Sequence, residues 1–246
     1  MLLIIVGGYF KHPETVLWVG GRMFVSDIGE FGKRDGKVYM KEGRRWSVWA
    51  SYLKDPKGLA HCGGVLYVAD VDRVWAVKDR SAVFEVVGPK DFTAQFLNGI
   101  TCARGGKLYV SDTYGNAIYL IDPRRRTVKK VLSVEKPNGL AVDGRGNLYV
   151  ITFTSPGRLL RWNGSTLDTV LVSSVIDGGD GLVYVSDRDV ILASGYESGK
   201  VVKVSPNGRY SVIAQGLRTP AGIGFDGRYV YVPLLELGEI KRFKVF

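Results

Sequence analysis

The chain has 246 residues, 46% of them hydrophobic and 24% charged, with 34 Lys+Arg against 24 Asp+Glu and a formal net charge of +10. That is enough apolar material for a core, and a basic balance that suits anionic ligands, nucleic acid or an anionic surface without fixing a fold. The N-terminal apolar run Leu2–Val6 is too short for a signal peptide or a membrane span, so the expected protein is cytoplasmic and carries no membrane segment.

Taken in order, Leu2–Val6 reads as a strand closed by Gly7-Gly8, in the way Val83–Val87 is closed by Gly88-Pro89. Next comes Met23-Phe-Val-Ser-Asp27, the first of six similar strands. The others are Leu66–Asp70, Leu108–Asp112, Leu148–Thr152, Val183–Asp187 and Val230–Pro233. Their aromatic positions, 24, 67, 109, 149, 184 and 231, are spaced by 43, 42, 40, 35 and 47 residues. A period near 40, with alternating Tyr/Val strands and glycine turns, is the pattern of four-stranded propeller blades. Helical repeats of that length would place apolar residues at i, i+3 and i+4 instead. The fold expected is all-β: a six-bladed β-propeller in one domain, 1–246. Glu239–Phe246 leaves the last blade one strand short, and Leu2–Val6 is expected to complete it and close the ring. The fifth blade is expected to begin at Ser174.

Within each blade the first strand should run from the top face down the central channel. The residue just before it then sits at the channel mouth. Counting 10 or 11 residues back from each aromatic marker gives Glu14, Lys57, Asn98, Asn138, Ser173 (or Ser174) and Ala221. A carboxylate and two amide oxygens converging on one axis suit a hard cation such as Ca²⁺. The same topology sends Arg44, Arg45, Lys78, Arg80, Arg104, Lys107, Arg124, Arg125, Arg126, Arg145, Arg209 and Arg228 to the bottom turns. It sends Asp27, Glu30, Asp70, Asp72, Asp112, Asp187, Asp189, Glu197 and Glu236 to the top. The strand-ending Asp27, Asp70, Asp112 and Asp187 are expected to bond backbone N–H groups. Cys62 and Cys102 fall on neighbouring first strands, either as buried thiols or as a disulfide. Only two Gln occur among many Arg, Lys and Tyr, a composition that leans toward a hot habitat.

Glu14-Thr-Val-Leu-Trp18, Val25-Ser-Asp27-Ile28, Asn98-Gly99 and Pro137-Asn138-Gly139-Leu140 resemble the senescence-marker-protein/gluconolactonase family of six-bladed propellers, and more distantly the paraoxonases and diisopropyl fluorophosphatase. The resemblance implies a calcium-type, metal-dependent lactonase or esterase. Glu14 and Asn138 would be metal ligands, and Asn98 a metal or substrate contact. The family has an Asp-Gly at the start of blade five, its Asp serving as ligand and base. The counted position here is Ser173, while Asp177 falls too close to the turn and Asp168 lies before the strand. The base would then be His12, Glu236 or a blade-five acid in a different register. Loops 88–97 and 188–199, with Phe92, Phe96, Val190, Ile191 and Leu192, are expected to border a small lactone or ester substrate.

Two other readings stand beside this one. Tyr109-Val-Ser-Asp-Thr-Tyr-Gly-Asn116 also resembles an NHL repeat, which implies a non-catalytic module binding a protein at the top or nucleic acid at the basic bottom, with Trp46 beside Arg44 and Arg45 as its one stacking ring. Glu236 resembles the catalytic Glu of strictosidine synthase-like propellers, with Leu234 and Leu235 as an apolar wall. A monomer is expected. No Ser-His-Asp order, zinc spacing, P-loop or dinucleotide fingerprint occurs.

Overall fold

A computed structural model describes residues 3–6, 9–78 and 83–246. Leu2, Gly7, Gly8 and Arg80 lie outside the described residues. The chain forms six four-stranded antiparallel sheets arranged as a β-propeller. β1 (Leu3–Val6) pairs with β24 (Glu239–Lys244), in the sheet that also holds β22 (Gly224–Phe225) and β23 (Tyr229–Leu234). Blade one is β2 (Pro13–Val19), β3 (Arg22–Asp27), β4 (Gly36–Glu42) and β5 (Arg45–Leu53). Blade two is β6 (Pro56–Cys62), β7 (Val65–Asp70), β8 (Arg73–Val77) and β9 (Val83–Val87). Blade three is β10 (Leu97–Cys102), β11 (Leu108–Asp112), β12 (Ala117–Asp122) and β13 (Thr127–Ser133). Blade four is β14 (Pro137–Val142), β15 (Leu148–Thr152), β16 (Gly157–Trp162) and β17 (Leu167–Ser173). Blade five is β18 (Gly179–Val185), β19 (Val190–Gly195), β20 (Lys200–Val204) and β21 (Tyr210–Ala214). Among the described residues no helix is long and apolar enough to cross a membrane.

The core is distributed between the blades. Each of the six apolar clusters among the described residues draws its side chains from two adjacent blades. Leu59, Val68 and Val38 pack between blades one and two, for example, and Ile151, Leu159 and Ile191 between blades four and five. This is why every sheet carries buried residues on both faces of its inner strands. β3 is buried from Met23 to Asp27 and β15 throughout. A chain of alternating Val, Tyr and Leu builds such layers because side chains leave a strand to both sides in turn.

Blade five differs from expectation. Val183–Asp187 is not its second strand. Tyr184 lies on the first strand, β18, and the second is β19, with Leu182 opposite Ala193. Two consequences follow. Asp187 and Asp189 lie in the exposed turn between β18 and β19, at the lower end rather than on top. Val190, Ile191 and Leu192 belong to a buried inner strand and not to a loop over a substrate. The pattern misleads because first and second strands are both buried on two faces, so a Tyr/Val alternation satisfies either.

Cys62 and Cys102 are joined as a disulfide between the first strands of blades two and three, Cα–Cα 5.9 Å.

Candidate functional site

In five of the six blades the first strand begins with an irregularity in its pairing. On β14, Pro137 faces Thr152 and Leu140 faces Val150, so Asn138 and Gly139 bulge toward the axis. The same irregularity recurs at Glu14, Lys57, Asn98 and Asp180. On the sixth blade Ala221 holds the place, beside the Pro220–Leu234 bridge. Around the ring the mouth therefore reads Glu14, Lys57, Asn98, Asn138, Asp180, Ala221, and all six are buried.

Ser173 does not reach this ring. It ends the outer strand β17 opposite Gly157, and its hydroxyl accepts the Val175 N–H at the start of a short 3-10 turn. The mouth position of blade five is Asp180, followed by Gly181. Sequence reasoning missed it, although one signal was available. The glycines that follow the mouth residues are Gly58, Gly99, Gly139, Gly181 and Gly222, spaced by 41, 40, 42 and 41 residues. Their evenness has a steric cause. A Cβ at Gly139 would collide with the Asp180 carbonyl oxygen, and one at Gly99 with that of Asn138. The inner strands approach so closely that only glycine fits.

Buried serines fix the mouth backbone on alternate blades. Ser111 Oγ accepts the Gly99 N–H at 2.8 Å and donates to the Asn138 carbonyl at 2.7 Å. Ser26 joins Thr15 N–H to the Lys57 carbonyl, and Ser194 joins Gly181 N–H to the Ala221 carbonyl. The strand-ending carboxylates hold the approach to the mouth. Asp27 accepts the Lys11 and His12 N–H groups, Asp70 those of Lys54 and Asp55, and Asp112 those of Gln95 and Phe96. Asp187 has no part in this, being exposed below.

Above the ring lies a cavity of about 190 Å³. Its floor is Glu14, Lys57, Asn98, Asn138 and Asp180; its walls include Phe31, Phe96, Tyr114, Phe153, Tyr196 and Leu235. Below, the axial channel encloses about 300 Å³ between the six inner strands.

The floor is electrostatically unusual. Burial pushes the Asp180 carboxyl well above the usual range; the Glu14 charge pushes it further, and the Lys57 ammonium opposes. Burial also raises Glu14, against Lys57 and the Thr15 hydroxyl, which donates to Glu14 Oε2. Two carboxylates separated round the ring only by Ala221 thus share a desolvated space, where at most one ionises easily without a cation. Asn138 Oδ1 is buried with no hydrogen-bond partner, one of two such side-chain atoms among the described residues. An orphaned carbonyl oxygen beside two desolvated carboxylates is a donor set for a hard cation. Among the described residues no three His, Cys, Asp or Glu side chains converge as a metal group. The mouth offers two carboxylates and two amides instead.

His12 and Glu236 lie outside the cavity lining. His12 Nδ1 donates to the Gly29 carbonyl at 2.7 Å, and its ring packs behind Phe31 at 4.8 Å. Glu236 sits on an exposed turn, accepting from Arg218 Nε at 2.8 Å, its side chain 44% exposed. On the lower side Trp46 packs against Tyr9 and Phe10 at 5.7 and 5.3 Å, so its ring is occupied within the protein.

No family model matches the chain. No curated protein matches it either. Solved structures do. A gluconolactonase of Xanthomonas campestris superposes with a TM-score of 0.79 at 15% identity, covering 99% of this chain and 89% of that one. A second protein assigned as a gluconolactonase gives 0.79 at 18%, covering 99% and 91%. A virginiamycin B lyase of Staphylococcus aureus gives 0.71 at 11%, covering 100% and 99%. At these identities the likeness establishes the six-bladed fold.

Proposed function

We propose that the upper cavity is the active site of a hydrolase for small lactones or esters that uses a divalent cation, calcium best. The observation that carries this reading is the convergence of Glu14, Asp180 and the unpartnered Asn138 Oδ1 on one desolvated floor. The gluconolactonases that share the fold support the substrate class.

Glu14, Asn138 and Asp180 would hold the cation, with Asn98 completing the oxygen set; Lys57 and Ala221 offer no ligand. When bound there, a divalent ion supplies Lewis-acid polarisation of a carbonyl oxygen. The protein does the rest. The aromatic walls exclude bulk water and pack the ring of the substrate. The Asp180 carboxylate accepts the proton of the attacking water and returns it to the leaving alkoxide. Asn98 donates its amide N–H to the substrate. The sequence offered His12, Glu236 or a blade-five acid in another register as the base; Asp180, a blade-five acid on the cavity floor, is the one this reading takes.

Chelator-treated protein, assayed by pH-stat on a panel of lactones and esters with and without calcium, tests the reading. Turnover should return with calcium and fall at least about a hundredfold in Asp180→Asn, the usual range for loss of a general base. Turnover indifferent to Asp180→Asn, or none on any member of the panel, would refute it.

A further inference from the structure

The ring holds one residue that the proposed chemistry does not use and that works against a bound cation. Lys57 is 3% exposed, in the blade next to Glu14 and across the channel from Asp180. It is not a surface lysine folded inward. Its ammonium sits 4.4 Å above the Phe96 ring, and that ring rests on Tyr114 at 4.7 Å. The Phe96 N–H is held by Asp112 and the Lys57 carbonyl by Ser26. Backbone and ammonium are thus both anchored, and an aromatic face that favours cations holds the charge on the same cavity floor as the two carboxylates, where its field reaches both.

We infer that Lys57 is a tethered counter-cation, which competes with the divalent ion for the Glu14–Asp180 pair and sets the metal affinity of the site. The inference rests on the reading above that this pair takes a divalent ion. Charge counting gives its direction. With both carboxylates ionised, as a bound ion requires, they and the ammonium sum to −1, and a divalent ion brings the floor to +1. Without the lysine the same ion would bring −2 to zero. In a desolvated site an uncompensated like charge on the same floor weakens cation binding by about tenfold or more.

The test is a calorimetric calcium titration of chelator-treated wild type beside Lys57→Met, Lys57→Gln and Lys57→Arg, each first shown to fold by circular dichroism and a melting curve. Lys57→Met removes the charge and keeps the length; Lys57→Gln serves if the methionine variant does not fold. The neutral variants should bind calcium at least tenfold more tightly than wild type, and Lys57→Arg no more tightly. Binding by a neutral variant alone, with none by wild type at millimolar calcium, would support the inference equally. Equal or weaker binding by the neutral variants would overturn it while leaving the metal site intact. No binding by any of the four proteins would overturn both the metal site and the inference.

Discussion

Gly139→Ala probes the inter-blade spacing that forms the mouth. The added Cβ would collide with the Asp180 carbonyl oxygen and stand 3.0 Å from the Leu182 N–H. Both neighbours are backbone of the adjacent inner strand, so no side chain can swing away. Relief requires blades four and five to separate, and the packed layer between them, with Ile151, Leu159 and Ile191 fully buried, resists. Overpacking of this kind costs about 3 kcal/mol. For a chain of this size that lowers Tm by roughly 6–12 °C. Gly144→Ala is the control. It lies in an exposed turn of the same blade with nothing within 4 Å of the added Cβ and no left-handed φ, so it should be neutral or stabilising by up to about 1 kcal/mol. Scanning calorimetry of both variants decides the matter. If Gly139→Ala melts with Gly144→Ala, the close approach of the inner strands is not there and the steric reading of the Gly repeat is wrong.

Four further outcomes are expected. Ser111→Ala leaves the Gly99 N–H and the Asn138 carbonyl without this partner, both on the buried inner ring, and should cost about 3 kcal/mol by denaturant unfolding; a loss below about 0.5 kcal/mol would count against the serine bridge. The disulfide closes a separation of 40 residues, so Cys62→Ser/Cys102→Ser should lose about 4 kcal/mol under oxidising conditions, and an unchanged melting curve would speak against that linkage. Metal-free Asp180→Asn should melt higher than metal-free wild type near pH 8. The raised folded pKa means the native state holds a proton that the unfolded chain releases, so stability falls as pH rises from the ordinary Asp range through the folded value, and the asparagine removes that loss; the difference should close toward pH 4, and a variant melting lower at pH 8 would contradict the burial argument. Glu236→Gln should alter kcat/KM less than about twofold, because that carboxylate is exposed, paired with Arg218 and not part of the cavity lining; a hundredfold fall would restore it to the chemistry.

Much of this was legible in the residues. The near-40 repeat gave six blades, and Pro137-Asn138-Gly139-Leu140 with Glu14 gave two mouth positions directly. Asn98, Lys57 and Ala221 followed from the same count. What failed was the register of one blade. Counting from aromatic markers assumes that the Tyr/Val strand is always the second, and in blade five Tyr184 lies on the first, stacked on Tyr149 of the neighbouring blade at 6.1 Å. The uneven spacings of 35 and 47 residues marked the fault. The glycines, constrained by backbone collision rather than by general hydrophobicity, keep the better register and lead to Asp180. His12, chosen for its nearness in sequence to Glu14, and Glu236, chosen for a resemblance, are not among the residues that line the cavity; the Gly29 carbonyl and Arg218 are their side-chain partners.

Asp180, and not Ser173, is the acid that blade five places at the mouth. The decisive measurement is a calorimetric calcium titration of Asp180→Asn beside Ser173→Ala. Ser173→Ala should bind as wild type does, because its hydroxyl only caps a turn, and Asp180→Asn should lose saturable binding. Calcium bound by Asp180→Asn as tightly as by wild type would contradict it.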